Sequence, residues 1–136
     1  MSKIIVAESA GFCFGVNRAI NILYKLIDEN KPACTLGPII HNMQMVNELR
    51  EKGVRTIDKI SEAKENETIV IRSHGVPQSI VDEINERHLD YIDATCPFVS
   101  KIHKIVSETD DDSIVIIAGD KNHPEVQGIM GHCKSK

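Results

Sequence analysis

The sequence has no tryptophan, and aromatic residues make up only 4% of its 136 residues. It also has no block of basic residues, and its formal net charge is -4. Because nucleic-acid binding needs basic side chains for phosphates or aromatic side chains for bases, this segment is not expected to bind nucleic acid directly. No apolar run has membrane-spanning length, and the first residues lack the apolar core and cleavage site of a signal peptide. These absences predict a cytoplasmic protein that does not enter a membrane.

The four cysteines include no Cys-x-x-Cys pair. In a reducing compartment they are expected to be thiols, metal ligands or redox groups rather than disulfides. A hydrophobic content of 41% and a charged content of 26% fit a soluble globular protein with its own core.

Short apolar runs alternate with helical patterns along the chain. Strands are predicted at residues 4–7, 33–36, 54–57, 68–71, 91–92 and 113–118, of which the last has the clearest pattern. Helices are predicted after Cys13, around residues 45–49, and from Pro77, Pro97 and Pro124, and a short helix or loop is predicted in 59–66. Because these runs do not alternate polar and apolar residues, as expected of buried strands, and are separated by helices, we predict an α/β fold with a parallel sheet flanked by helices.

Five cysteine or histidine residues share one kind of position, the joint between an apolar run and a helical pattern. They are Cys13, His41, His74, Cys96 and His123. Strand-to-helix joints of a parallel sheet lie along one edge, where α/β folds bind ligands. The shared position therefore predicts one composite site.

The two cysteines of this set allow two interpretations. Cys13 and Cys96 each precede a predicted helix, whose N-terminus stabilises a thiolate. The proline after Cys96 is typical of iron–sulfur ligation. Spacing alone fits equally well with two small buried hydrophobic residues. Cys34 falls inside a predicted strand and is expected to lie in the core.

The three histidines suit an anionic ligand, because imidazole N–H groups and helix N-termini both donate hydrogen bonds to phosphate oxygens. Taken singly, His41, His74 or His123 could instead cap a helix or bind a nearby carbonyl group. Glu125 stands in the first turn of the last predicted helix. It could complement the helix dipole or donate a proton to a leaving hydroxyl group, and the sequence does not separate these roles.

A family resemblance connects these segments. The strings that carry it run in order along the chain: GFCFGV at 11–16, RAI at 18–20, HN at 41–42, SHGV at 73–76, DATCP at 93–97, and HPEV at 123–126 followed by Gly128. As an ordered set they resemble the 4-hydroxy-3-methylbut-2-enyl diphosphate reductase (LytB) family.

The resemblance implies the last step of the methylerythritol phosphate route to isoprenoids. Family members remove the allylic hydroxyl group of their diphosphate substrate by two-electron reduction and form isopentenyl and dimethylallyl diphosphate. Their [4Fe-4S] cluster is held by three cysteines, and ferredoxin or flavodoxin supplies electrons. Carried over to this chain, Cys13 and Cys96 would be cluster ligands, and Glu125 would deliver a proton to the leaving hydroxyl group. The substrate diphosphate would be held by His41, His74 and His123.

The chain departs from the family pattern in its extent. The family fold is a trefoil of three α/β units, and residues 1–96 are expected to form the first unit and 97–136 the start of the second. The third cysteine motif and the later serine- and asparagine-bearing motif are absent, and neither Cys34 nor Cys133 has a matching context. We therefore expect this chain alone to be inactive and its cluster to be labile or missing.

Two other functions compete with the reductase. A zinc hydrolase could use Cys13, Cys96 and the histidines around an activated water. A non-catalytic module could bind a diphosphate or a partner.

Overall fold

The computed structural model describes residues 3–134. Five α-helices and four strands are described, together with one short 3-10 helix. The helices are α1 (Phe14–Asp28), α2 (Met43–Glu51), α3 (Gln78–Glu86), α4 (Pro97–Ser107) and α5 (Pro124–His132). The strands are β1 (Ala33–Leu36), β2 (Arg55–Ile57), β3 (Thr68–Ile71) and β4 (Tyr91–Asp93), and the 3-10 helix spans Ile60–Glu62.

The strands form one parallel sheet in the order β2-β1-β3-β4. Every residue of β1 is buried, as expected for a central parallel strand covered on both faces. One face of the sheet packs against α1 and α2, and the other packs against α3 and the 3-10 helix. The α/β class and the flanking helices predicted from the sequence are confirmed.

Local signals explain several boundaries. The side chain of Asn42 accepts a hydrogen bond from the Met45 N–H at 3.0 Å and thereby caps α2. Gly53, with φ +94°, follows the end of α2 in the left-handed conformation that glycine adopts without strain. Pro97 opens α4, where its missing N–H costs no hydrogen bond.

An ion pair fastens the edge strand β2 to the sheet. Glu67 is 7% exposed and accepts hydrogen bonds from Arg55 at 2.8 and 2.7 Å. It also accepts the main-chain N–H of Lys64 at 3.0 Å. These hydrogen bonds lower the pKa of Glu67 to about 2, and those from Arg55 have the largest effect.

Two predicted strands are wrong. Residues 4–7 and 113–118 have strand-like composition, yet neither forms a strand, and neither joins the sheet described for residues 3–134. Their side chains are largely open to solvent: Ile4 and Ile114 are each 89% exposed. A strand requires a hydrogen-bonded neighbour, and an apolar β-branched sequence does not supply one by itself.

Helix α4 carries two rows of apolar residues, and only one of them is buried. Phe98, Ile102 and Ile105 have helical spacing, but all three are exposed. The neighbouring face is buried instead, through Val99, His103 and Val106. None of the helices within residues 3–134 combines the length and apolar character needed to cross a bilayer.

Candidate functional site

The predicted joint residues lie near the carboxyl edge of the sheet. His41 follows β1, His74 follows β3, and Cys96 follows β4. Because these strands are parallel, their ends point to the same edge, and their loops meet there. His123 reaches the same place as the N-cap of α5.

Three imidazoles meet at this edge and are called here the imidazole triangle: His41, His74 and His123. Their ring centroids are 4.7 Å apart for His41 and His74, 6.0 Å for His41 and His123, and 5.8 Å for His74 and His123. Their sequence separation is large, so the triangle is a product of the tertiary fold. Rings at these distances can donate hydrogen bonds to one small anion placed between them.

Two members of the triangle have defined hydrogen-bonding surroundings. The Nδ1 atom of His123 accepts the main-chain N–H of Glu125 at 3.2 Å, which leaves Nε2 as the donor of the neutral ring. Burial, assisted by the charges of His41, Arg72 and His123, lowers the pKa of His74 to about 4. The Nδ1 atom of His74 is buried without a hydrogen-bond partner among the residues described. His74 is therefore neutral at pH 7 and has unused hydrogen-bonding capacity.

Arg72 adds a positive charge behind the triangle. Its Nε atom is buried without a partner in residues 3–134, and burial lowers the pKa of its guanidinium group. The group packs against Gly37, where a side chain would collide with Nη1. Because a buried cation close to His74 favours negative charge nearby, Arg72 favours binding of an anion at this edge.

Two thiols cap helices whose N-terminal ends lie close together. Cys13 is the exposed N-cap of α1, and Cys96 is the partly buried N-cap of α4. A Cβ atom on Gly15 would lie only 2.5 Å from Cys96 Sγ, so α1 approaches Cys96 closely because residue 15 has no side chain. Two helix N-termini thus converge on soft sulfur donors.

Arg18 ties these thiol-bearing segments together. Its guanidinium group donates to the carbonyl oxygens of Thr95 and Asp93, each at 3.2 Å. Arg18 lies on the helix that Cys13 caps, and Thr95 directly precedes Cys96. This connection was missed from the sequence, where Arg18 was part of a matching string without an assigned role.

The remaining candidate residues do not complete a metal site within residues 3–134. Glu125 is partly buried in the first turn of α5. Within residues 3–134, no group of at least three His, Cys, Asp or Glu side chains is arranged to hold a metal ion. Cys34 is fully buried, as predicted, and desolvation raises the pKa of its thiol to about 11. His88 follows the end of α3 with φ +54°.

Comparison with known proteins identifies the chain's relatives. The family model described as LytB protein matches residues 4–136. The chain belongs to the LytB family. The LytB relatives include the 4-hydroxy-3-methylbut-2-enyl diphosphate reductases of Trichlorobacter lovleyi, 46% identical over 137 residues, and Aquifex aeolicus, 44% identical over 137 residues. These alignments cover 98% and 99% of this chain but 48% and 47% of the relatives.

Solved LytB-family structures agree with the fold. A structure of (E)-4-hydroxy-3-methylbut-2-enyl diphosphate reductase, the terminal enzyme of the non-mevalonate pathway, matches with a TM-score of 0.81 at 45% identity. The match covers 97% of this chain and 47% of the other. The reductase from Plasmodium falciparum matches with a TM-score of 0.85 at 30% identity, over 92% of this chain and 40% of the other. The chain thus spans about half the length of the LytB relatives that it matches.

Proposed function

We propose that the chain forms part of a 4-hydroxy-3-methylbut-2-enyl diphosphate reductase of the methylerythritol phosphate pathway. The observation that carries the proposal is the imidazole triangle, which lies at the sheet edge of a LytB-family chain. The reaction breaks the allylic carbon–oxygen bond. Two electrons and two protons enter, the oxygen leaves as water, and the carbon skeleton gains one hydrogen.

The imidazole triangle would hold the diphosphate group of the substrate. A diphosphate is compact and highly charged, so it suits several N–H donors that converge from separate loops. His123 presents its Nε2–H because Nδ1 is already occupied by the Glu125 N–H. His74 starts neutral with an unpaired ring nitrogen, and a bound anion would favour its protonation. The N-terminus of α5, at His123, adds a favourable dipole.

Cys13 and Cys96 would be two of the ligands of a [4Fe-4S] cluster. Thiolates are the usual ligands of iron–sulfur clusters, and the absent side chain at Gly15 gives Cys96 room beside α1. The cluster, when bound, supplies the electrons for the reduction. A third ligand is not found next to these cysteines in residues 3–134, so the remaining part of the protein would have to provide it.

Glu125 would deliver the proton that converts the leaving hydroxyl group to water. It follows His123 by two residues in the chain and stands in the first turn of α5, which supports this role. A carboxylic acid near the leaving oxygen can donate the proton with which that oxygen departs as water.

The proposal also includes the wider organisation of the enzyme. Residues 1–96 would be the first unit of a three-unit trefoil, and 97–136 would begin the second. The enzyme would work in the cytoplasm with ferredoxin or flavodoxin as electron donor. The chain alone would lack the third cysteine and part of the diphosphate pocket, and would be inactive.

Metal analysis of the protein extended to the length of its relatives tests the cluster assignment. After anaerobic reconstitution we expect about four irons and four sulfides per chain. This protein should reduce 4-hydroxy-3-methylbut-2-enyl diphosphate, whereas the 136-residue chain should not. Cys13→Ser and Cys96→Ser should each lose most of the iron and the activity, because each removes one thiolate anchor.

Cys133→Ser is the matched control, because Cys133, like Cys96, is a partly buried thiol but lies at the far end of α5. Iron retained at full stoichiometry in Cys13→Ser or Cys96→Ser would contradict the ligand assignment. Stoichiometric zinc without iron would favour the zinc hydrolase instead.

Titration of the 136-residue chain with inorganic pyrophosphate tests the imidazole triangle. Calorimetry at pH 7 should show His41→Ala binding about tenfold more weakly than the unmodified chain, because a hydrogen bond to a charged group is lost. His88→Asn is the control, since His88 is exposed and asparagine tolerates its positive φ. Equal affinities of His41→Ala and His88→Asn would remove the diphosphate role from the triangle.

A further inference from the structure

Two histidines outside the imidazole triangle form a stacked pair behind it. The ring centroids of His103 and His132 are 4.1 Å apart, with an angle of 22° between the ring planes. His103 is on α4 and only 7% exposed, whereas His132 ends α5. The pair therefore joins the helix capped by Cys96 to the helix capped by His123.

The His103 ring fills the space between α5 and the turn that carries His74. A Cβ atom on Gly75 would lie 2.5 Å from His103 Cε1. A Cβ atom on Gly128, in α5, would lie 3.1 Å from His103 Nε2 and 3.5 Å from the His74 carbonyl oxygen. Both glycines lack side chains where the ring needs room, so the ring acts as a spacer between the two segments.

His132 fastens the other end of α5 to the same turn. Its Nε2 atom lies 3.0 Å from the carbonyl oxygen of Val76, two residues after His74. Nearby, Gly131 packs so closely on Pro77 that a side chain at residue 131 would collide with the proline ring. The separation of His74 from His123 thus depends on contacts that involve His103 and His132.

We propose that His103 and His132 are positioning residues, which dock α5 against the His74 turn and thereby set the geometry of the imidazole triangle for its anion. The functional part of this inference rests on the proposed diphosphate role of the triangle. Docking itself is a property of the fold and can be measured without a ligand.

The pair also makes docking sensitive to acid. The charged or titratable groups that face His103 from other elements are His132 on α5 and Asp93 on β4. The adjacent cavity of about 300 Å³ is also lined by Lys104 of α4 and by the uncharged Gln78 of α3. Burial, followed by the charge of His132, lowers the pKa of His103 to about 4, against a smaller opposing effect of Asp93. The Nε2 atom of His103 has no hydrogen-bond partner in the described part of the chain. Because a proton on this ring would be buried beside another imidazole, protonation should favour release of α5.

Hydrogen exchange of the α5 amides, with the β3 amides as a reference for global unfolding, tests the docking role. In the unmodified chain, α5 should be protected at pH 7 and should lose more protection than β3 when the pH is lowered to 4.5. His103→Ala should lose α5 protection already at pH 7 and bind inorganic pyrophosphate about tenfold more weakly, because the spacer is gone. His103→Phe should restore protection and affinity at pH 7, since phenylalanine keeps a ring, and should retain α5 protection at pH 4.5.

The outcomes separate this inference from the proposed function. If the unmodified chain does not bind pyrophosphate, the diphosphate role fails, and the exchange data alone decide the docking role. Unchanged α5 protection in His103→Ala would overturn the inference. So would loss of α5 protection in His103→Phe at the same pH as in the unmodified chain. If His103→Ala does not fold, the pH series of His103→Phe still decides, with His88→Asn expected to behave like the unmodified chain.

Discussion

Lowering the pH from 7 to 4.5 is expected to reduce the free energy of unfolding by about 3 kcal/mol, because two histidines must be protonated on unfolding. The pKa values of His74 and His103 are lowered from 6.5 to about 4 in the folded chain, mainly by burial. His74 is less deeply buried than His103, so solvent screens part of its contribution. A loss of this size is a large fraction of the stability of an ordinary domain.

The sign follows from proton uptake. Between pH 6.5 and about 4 the unfolded histidines bind protons and the folded ones do not, so stability falls as the pH falls through this window. Glu67 acts in a separate window, because its pKa is lowered from 4.5 to about 2. Its stabilising effect is present above pH 4.5 and is lost only as the pH falls towards 2. The histidine and carboxylate contributions can therefore be separated by pH.

Urea unfolding at several pH values measures this dependence. The slope between pH 6 and 4.5 should approach two protons for the unmodified chain and about one for His103→Phe. His88→Asn should leave the slope unchanged, because His88 is exposed in the folded chain. A stability that does not change between pH 7 and 4.5 would show that the two rings are not buried in their neutral form.

Replacement of Gly75 by alanine is expected to destabilise the chain by about 2–4 kcal/mol, through backbone strain and steric overlap together. Gly75 has φ +73°, a conformation that alanine adopts at a cost. Its new Cβ atom would also lie 2.5 Å from His103 Cε1 and 3.1 Å from Thr95 Cγ2. Since His74 directly precedes Gly75, we also expect weaker binding of inorganic pyrophosphate.

Gly53→Ala isolates the backbone part of this effect. Gly53 has φ +94°, and a Cβ atom there would meet nothing within 4 Å. Gly53→Ala should lower the free energy of unfolding by about 1 kcal/mol, from the backbone conformation alone. Denaturant unfolding of both variants gives the difference that arises from contact with His103 and Thr95. Equal losses in Gly53→Ala and Gly75→Ala would mean that the ring moves away without cost.

The sequence alone predicted the bounds of those helices and strands that are determined by local signals. β1 and β3 have the predicted bounds, and α4 begins at Pro97 as predicted. Residues 4–7 and 113–118 have the same apolar character as β3, but strand formation depends on a neighbouring strand that a local pattern does not reveal. The buried face of α4 could not be predicted from helical spacing for a related reason, because burial depends on where α5 packs.

The location of the candidate site could be predicted from the sequence, but the residues that hold it in place could not. The rule that strand ends meet at one sheet edge accounts for the meeting of His41 and His74. His123 joins them, as predicted, although the strand predicted before it does not form. Their roles stay predictions. The spacing of His103 from Val99 and Val106 indicates a buried stripe of α4, but it assigns the histidine no role at the site. No sequence signal pairs it with His132, since that contact requires α5 to fold back onto α4.

The strand order has a consequence for how the chain folds as it is synthesised. Central strand β1 pairs with β2 on one side and with β3 on the other, through partners such as Thr35 with Thr56 and Val70. Neither pairing is a hairpin, because both are parallel and both involve strands that come later in the chain. β1 therefore leaves the ribosome before either of its neighbouring strands has been synthesised. The side chains that β1 buries in the finished fold stay exposed throughout that interval, and the non-local pairing is expected to slow folding relative to a helical bundle of the same length.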